Sequence, residues 1–413
     1  MLYFKHSELV NTYHVSLKTV HNWIDAAKQG KLDLELYNKD GRIYVANKPK
    51  NVMVLEKMAE NGKKYRNIRY QKTITPKPEF YKLFNDRQVL DIISNLTVHK
   101  EIPHKYSYVD NGADAWDSWV TGLAHDDTPN MIHNSLNLVS DSLHSIDSLL
   151  DSGEKVNVID LGVGNAIPVK DLVGHLLKKD VLNRYIAIDI SQKMLDIAEK
   201  NLKSWYGDDF SYEGYVRDFS YQYFDDLIVK DQLNDQDHKV VNLVLLFDAT
   251  PLNFRDPADA LRVIYGSLAE RDLLVFTYKP DTEASRKYFD FGSDKEKPGL
   301  PLKERHIPDL LNIDSSLYDV ETGFNEKKRM RYIRIRLNTT IEIKFKFANT
   351  IRKVVLEKGE TILLWRIWHQ TGIETINEFE KAGFMLLRAN MTKDRERMLF
   401  ITGINTLSDY ARP

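Results

Sequence analysis

The chain has 413 residues, a formal net charge of −2 and no cysteine, which excludes disulfides and thiolate metal sites. That length exceeds one comfortable core, so two or three domains are expected. There is no run of 18 apolar residues and no charged-then-apolar leader, so nothing is expected to anchor or export the chain, and a cytoplasmic location is compatible with its composition. The small total charge hides an asymmetry. Residues 1–75 carry 14 Lys and Arg against 7 Asp and Glu, a net of +7, which leaves 44 against 53, or −9, for residues 76–413. A basic front end fits a nucleic-acid partner and equally a solvated positive surface.

In chain order, Ser7 to Tyr13 reads as a first helix. Ser16 then offers an N-cap for LKTVHNWIDAAKQG, whose Leu17, Val20, Trp23 or Ile24 and Ala27 recur at helical spacing before Gly30 stops the helix. LDLELYNKDGRIYV follows, two alternating strands around Lys39-Asp40-Gly41 that read as a hairpin. Helix, turn, helix and β-wing within residues 1–60 resemble the winged helix-turn-helix of the excisionase and MerR type, with "VS..TV..WI" marking the second helix. The resemblance implies a possible DNA partner, with Lys18, Thr19, His21 and Asn22 toward a major groove and Lys39 and Arg42 on the wing near phosphates. Such modules also serve as protein contacts.

Residues 61–78 have the charge, the Pro76-Lys-Pro78 pair and the lack of period of a linker. Residues 79–150 read as mostly helical. Beyond them KVNVIDLG, RYIAIDI, FSYEGYVRDF, VVNLVLLFDAT and RDLLVFTYK alternate with helical stretches, so the expected fold class is α/β, a doubly wound, largely parallel sheet covered on both faces. The core is expected over 151–291 and 370–413, with 292–369 inserted. Within the insert, Arg329 to Phe347 alternates polar with apolar residues and reads as two antiparallel strands with one wet face, which carries Arg329, Arg331, Arg334 and Arg336. Gly372 to Ala382 is then a helix, and FMLLRAN with RMLFITGI a closing strand pair.

In a doubly wound sheet ligands lie beyond the carboxyl ends of the strands, where strand order reverses. The segment DLGVGN sits at the end of the first strand of the sheet, where Gly162 and Gly164 let backbone approach a ligand. It lacks the third glycine of the dinucleotide fingerprint, and there is no Gly-Lys-Ser/Thr phosphate loop. The second strand ends in Asp189, where a carboxylate can accept from both ribose hydroxyls of an adenosine. The third ends in Asp218-Phe219, an acid for the adenine amino group and a ring against the base. This sequence of features is similar to that of class I S-adenosylmethionine methyltransferases, and it implies S-adenosyl-L-methionine as cofactor, with Asp160, Gly162, Gly164, Asp189, Asp218 and Phe219 around it.

Over most of residues 79–404 the chain resembles the histidine N-α-methyltransferases of ergothioneine biosynthesis. IPHKYSYVDNGADAWDSW is similar to the signature that precedes that family's first strand, and VIDLGVGN, AIDIS and RDFS are similar to its cofactor strands. The resemblance implies that Tyr108 reaches the cofactor, that Trp116 belongs to the acceptor pocket, that Asn253 in FDATPLNF holds an amino acid's α-amino and carboxylate groups, and that Tyr288 lies near the substrate. It fails at the positions that read imidazole. Trp365 and Ile367 stand where the family has a glutamate and a serine, and His125 where it has a tyrosine. A lysine expected near the cofactor carboxylate becomes Pro168, with Lys170 as a substitute. Buried polar atoms left unpaired cost roughly 1–3 kcal/mol each, so free histidine is a poor substrate for such a pocket. Trp116, Trp365 and Trp368 would suit an apolar, aromatic or cationic group, or are ordinary core.

No histidine stands in an HExxH or His-carboxylate spacing, and there is no nucleophile elbow, so no metal site is expected. Three functions follow: N-methylation of an amino acid or small amine, methylation of DNA or RNA targeted by the front module, or a cofactor-binding transcription regulator. A base-methylating enzyme usually carries two successive prolines followed by an aromatic at the fourth strand end; DATPLNF has Pro251 but no second proline and no aromatic adjacent to it.

Overall fold

The computed structural model describes residues 3–13, 15–69, 72–228, 239–248, 250–286, 299–347 and 349–405, without the side chains of 61–69. Contacts divide the chain into two units, Met1–Thr73 with Thr339–Glu342, and the remainder.

The first unit opens with β1 (Tyr3–Phe4), α1 (His6–Tyr13) and α2 (Leu17–Lys28). Ser16 caps α2 as its spacing requires, accepting from the Thr19 N–H, and Gly30 leaves the helix at φ +67°. The hairpin forms from β2 (Leu36–Lys39) and β3 (Arg42–Ala46), turning through Asp40 and Gly41, both at positive φ. The strand order is β1-β3-β2. Leu9, Val20, Trp23, Ile24, Val45 and Leu55 build its core. Helix α3 runs from Pro49 to Arg69, so the stretch read as a linker from residue 61 begins inside a helix. Its lysines, arginines and tyrosines carry no breaker stronger than Gly62, and a good helix former continues a helix already nucleated.

The second unit follows β4 (Lys72–Ile74). Its leading part is helical as read: α4 (Pro78–Leu83), α5 (Asp86–Val98), α6 (Asn111–His125), α7 (Met131–Asp141) and α8 (Leu143–Asp147). The sheet then assembles from β5 (Lys155–Leu161), β6 (Leu182–Asp189), β7 (Tyr212–Val216), β8 (Val240–Leu246) and β9 (Leu273–Tyr278). Helices α9 (Lys170–Lys178), α10 (Gln192–Tyr206) and α11 (Pro257–Ser267) lie between them. After the short α12 (Glu283–Arg286) and α13 (Leu302–Leu310) come the strands of the insert, then α14 (Gly372–Lys381), β15 (Phe384–Met391) and β16 (Met398–Ile404).

The seven strands stand in the order β15-β16-β9-β8-β5-β6-β7. All neighbours are parallel except those of β16, which runs against both β9 and β15. Strand order reverses between β5 and β8, which places the crevice at their carboxyl ends. One sheet face packs on Leu172, Val173, Leu195 and Leu202, the other on Leu261, Ile264 and Phe379, so strands read as continuous apolar runs are buried on both faces. At the opposite end buried Asn157, Asn242 and Asp272 and exposed Asn183 form a polar ladder, each amide donating to the next oxygen at 2.9–3.0 Å from Asn183 through to Asp272. Such a ladder pins register, because a slip leaves buried polar groups unpaired.

The insert corrects one expectation. Strands β11 (Met330–Leu337) and β12 (Ile341–Phe347) are not partners: β11 lies between β10 (Tyr318–Asn325) and β14 (Thr361–Trp368), while β12 joins the sheet of β13 (Thr350–Leu356). Both edges of β11 are already paired, so the chain leaves that sheet at Asn338. The arginines of the wet face are tied down. Arg334 and Arg336 bind Glu321, and Arg329 binds Asp281 and Glu374.

Candidate functional site

The crevice opens into a cavity of about 1060 Å³. Its floor is the turn after β5. Gly162 and Gly164 sit at φ +71° and +56°, and Ala166 at +60°, a left-handed run that side chains resist. A Cβ on Gly164 would stand 3.3 Å from Trp116 Nε1, so the turn is glycine for space as well as for conformation. The Asp189 carboxylate, at the tip of β6, accepts from the backbone N–H groups of Gly164, Ile190 and Ser191, the last at 2.9 Å. Burial raises its pKa to about 6 even so. Asp160 is also buried, accepts from the Tyr185 hydroxyl at 2.5 Å, and is raised by burial to about 7.

At the end of β7 Asp218 receives Lys105 Nζ at 2.7 Å on Oδ2 and the Ser220 hydroxyl and N–H on Oδ1. Phe219 is buried beside it, its ring 6.0 Å from that of Phe254. Lys105 was not singled out from the sequence, although it lies in the quoted IPHKYSYVD segment. Each acid is thus a fixed acceptor at a strand tip, and the three tips together suit an adenosine with its sugar and base.

The other wall belongs to α6, α13 and β14. Tyr108 is half-buried, with the Lys303 ammonium 3.4 Å from its hydroxyl and 4.8 Å from its ring centroid; the same ammonium lies 5.2 Å from the Trp116 ring. Burial opposes the charge of Lys303, but Tyr108 and Glu304 outweigh it and hold the pKa above the ordinary lysine value. Glu304 Oε1 stands 3.3 Å from Lys303 and 3.8 Å from His104 Nε2. Burial first, then Lys303, pushes His104 down to about 4, so its imidazole is neutral at physiological pH. Trp365 and Ile367 line the cavity as alternate residues of β14, with Ile333 paired opposite Trp365.

The cavity therefore brings together Tyr108, Trp116, Asp160, Gly162, Gly164, Asp189, Asp218, Phe219, Asn253, Trp365 and Ile367. Asn253 ends a 3-10 turn (Thr250–Asn253), and its buried Oδ1 has no partner among the described residues. His125 stands apart from the lining. It is exposed at the last turn of α6, where its ring bonds the Thr121 carbonyl, a satisfied helix end rather than a ligand group. Tyr288 lies outside the described residues. Pro168 lines the cavity, but Lys170 covers the Trp205 ring instead, and Trp368 spends its indole N–H on the Phe254 carbonyl.

Lys303, Glu304, His104 and Asp248 were missed. The first two come from a helix in the insert with no motif to mark it. Asp248 had a signal, an acid just past a strand end in LLFDAT, and it takes φ +57°, a conformation costing an aspartate roughly 1–2 kcal/mol.

On the first unit, Lys18, His21, Asn22, Lys39 and Arg42 are exposed and Thr19 half-buried. Thr19 and Ser16 share a hydroxyl bond, while Lys39 leans on Tyr3. Among the described residues no group of acids and histidines could hold a metal ion, and no helix is long and apolar enough to cross a membrane.

Residues 86–277 match the family model described as histidine-specific methyltransferase, SAM-dependent. No curated protein sequence matches the chain. Among solved structures, an S-adenosylmethionine-dependent methyltransferase from Clostridium acetobutylicum ATCC 824 is 13% identical, covering 71% of this chain and 98% of its own, with a TM-score of 0.36. Magnesium protoporphyrin IX methyltransferase from Synechocystis PCC 6803 is 11% identical over 73% and 97%, with a TM-score of 0.39. The PH0226 protein from Pyrococcus horikoshii OT3 is 11% identical over 71% and 99%, also at 0.39. The strand order, with its single reversed strand, defines the fold as class I methyltransferase. With the family match, the protein is an S-adenosylmethionine-dependent methyltransferase, and S-adenosylmethionine is its cofactor.

The raised acids carry a stability signature. Asp160 is lifted from 3.8 to about 7, so between those values the folded chain holds a proton that the unfolded chain has released. Its stabilising contribution is complete below about pH 4 and is lost as pH rises through 7. His104 acts in the opposite sense, but only below its ordinary value of 6.5. Between pH 6.5 and 8, urea denaturation of the ligand-free protein is therefore expected to show a loss of about 1 kcal/mol that Asp160→Asn removes. Equal slopes in the two proteins would contradict this reading.

Proposed function

We propose that the protein N-methylates an amino acid or small amine other than free histidine. Tyr108, Asp160, Gly162, Gly164, Asp189, Asp218 and Phe219 hold the cofactor, and Trp116, Asn253, Trp365 and Ile367 receive the acceptor. The cofactor supplies the methyl group on its sulfonium. The chain's own work is to orient the acceptor nitrogen and exclude water. The observation that carries the reading is the composition of one cavity: the strand tips that suit an adenosine open onto Asn253, whose buried Oδ1 lacks a donor, and onto Trp365 and Ile367. An imidazole would leave its N–H facing those apolar side chains. On that wall Glu304 pairs with Lys303, while His104 Nε2, 3.8 Å from Glu304, has no hydrogen-bond partner among the described residues. Residues 79–150 and 292–369 form the substrate lobe of this reading.

Two measurements test it. Calorimetry with S-adenosylhomocysteine should show Asp189→Ala binding at least tenfold more weakly, a loss of about 1.4 kcal/mol or more; unchanged affinity would remove the ribose role. A panel of amino acids and amines, incubated with S-adenosylmethionine and read by mass spectrometry, should yield a methylated amine, with histidine turned over roughly 10–100-fold less efficiently than the best acceptor. Histidine as the best acceptor, or no methylated amine at all, refutes the assignment.

A second proposal concerns the first unit. Exposed Lys18, His21 and Asn22 on α2, with Lys39 and Arg42 on the hairpin, favour a winged helix-turn-helix that binds DNA. Full-length protein should then shift duplex DNA with an affinity that falls steeply with salt, and Lys39→Ala with Arg42→Ala should flatten that dependence. Binding indifferent to salt and to both substitutions counts against it. Label from the cofactor appearing in the DNA would instead indicate a nucleic-acid methyltransferase.

A further inference from the structure

The loop after β8 carries a carboxylate that the site as described does not use. Asp248 lies two residues beyond the end of β8, and Gly162 one residue beyond the end of β5. These strands are parallel neighbours at the point where strand order reverses, with Asp160 opposite Leu245. Both residues line the same cavity. The Asp248 backbone is held in its left-handed conformation, φ +57°, by an N–H bond to Thr277 Oγ1 at 2.9 Å. One carboxylate oxygen is anchored from behind. Oδ1 accepts from Ser135 Oγ at 2.8 Å and from Arg397 Nη1 at 2.7 Å, and the Arg397 side chain is only 6% exposed. Oδ2 takes part in no hydrogen bond among the described residues, and the Asp248 side chain keeps 22% of its exposure.

This one-sided anchoring matters. A purely structural pairing of arginine with carboxylate favours the bidentate fork, which uses both oxygens. Here both donors crowd one oxygen and leave the other without a hydrogen bond among the described residues, on a side chain that lines the cavity. The other acids of the lining are engaged: Asp218 with Lys105, Glu304 with Lys303, Asp114 with Lys193, Asp309 with Arg305, Asp189 with backbone N–H groups, and Asp160, through one oxygen, with the Tyr185 hydroxyl. Asn253, five residues along the same loop, adds an acceptor without a donor, its Oδ1. A ligand that satisfies this loop must bring hydrogen-bond donors, and the open carboxylate oxygen selects those that carry positive charge.

We infer that Asp248 anchors the acceptor through Oδ2, gripping the N–H groups of a cationic amine while Asn253 Oδ1 takes a further donor. The inference deepens the proposed small-amine activity and rests on it for the identity of the cavity. It makes Asp248 a specificity-determining residue, favouring amines over neutral molecules of the same shape.

The test uses the full-length protein saturated with S-adenosylhomocysteine and two matched probes, 2-phenylethylamine and 2-phenylethanol, in isothermal titration. The amine is expected to bind the wild type at least tenfold more tightly than the alcohol. Asp248→Asn preserves the shape of the side chain and should abolish that preference while leaving S-adenosylhomocysteine affinity within twofold. Should Asp248→Asn fail to fold by circular dichroism, Asp248→Ser serves the same comparison. No preference in the wild type, silence from both probes, or a preference that survives loss of the carboxylate overturns the inference. Failure of the proposed activity looks different: the amine then binds through Asp248, yet no amine of the panel is methylated.

Discussion

A single buried carboxylate organises the ligand end of this sheet. Asp189 stands at the tip of β6 and accepts a backbone N–H from Gly164, across the crevice on the turn after β5, together with those of Ile190 and Ser191 beside it. Three amide donors compensate much of the cost of desolvating its charge, although burial still leaves the pKa near 6. In return the carboxylate helps hold a turn whose glycines sit at positive φ, alongside the Gly162 N–H bond to the Ile188 carbonyl at 2.7 Å. Strand ends in a parallel sheet are otherwise free to diverge. The bond between β6 and the glycine turn keeps floor and wall in register, so the remaining lining residues face a fixed reference.

Polar groups at the two ends of the sheet serve opposite purposes. The ladder of Asn183, Asn157, Asn242 and Asp272 consumes its own donors and acceptors within the sheet. Satisfied in this way it stabilises one register and offers nothing to a ligand. At the carboxyl ends the balance is incomplete. Asn253 Oδ1 has no donor, and Asp248 presents an oxygen that none of its neighbours uses. A fold that satisfies its polar groups with care at one end and leaves acceptors open at the other has concentrated its unmet hydrogen bonding where a ligand can meet it.

The doubly wound core was legible because its signals are local and redundant. Strands β5 and β6 are runs of β-branched and apolar residues that end at a glycine turn and an acid, and β7 is followed by Arg217-Asp218, so Asp160, Gly162, Gly164, Asp189 and Asp218 stand at positions legible along their strands. The hairpin at Asp40-Gly41 and the Ser16 cap were equally plain, since each depends on residues three or four apart. What failed was non-local. Nothing within Arg329–Phe347 says that β11 is already paired on both edges and must send β12 elsewhere. His125 has the chemistry of a ligand residue, but the end of α6 takes its ring for the Thr121 carbonyl. Lys303 and Glu304 reach the cavity only because α13 packs against α6, a contact that joins segments nearly two hundred residues apart.

The charges around the cavity show how such a site can be polar without being promiscuous. Lys303 is half-buried beside two aromatic rings and neutralised by Glu304, while His104 is kept uncharged by burial and by that same ammonium. Each member limits the other, so Lys303, Glu304 and His104 together carry almost no net charge. The Asp248 and Arg397 pair also sums to zero, but its geometry is asymmetric: the buried cation bonds one oxygen, and the second takes part in no hydrogen bond among the described residues. In a medium of low polarisability that asymmetry counts for more than the sum, because the field at short range follows the nearer atom. Two pairs with the same formal charge thus have different consequences. Lys303 and Glu304 pair side by side on α13, whereas the Asp248 carboxylate beyond β8 keeps one acceptor oxygen unused among the described residues.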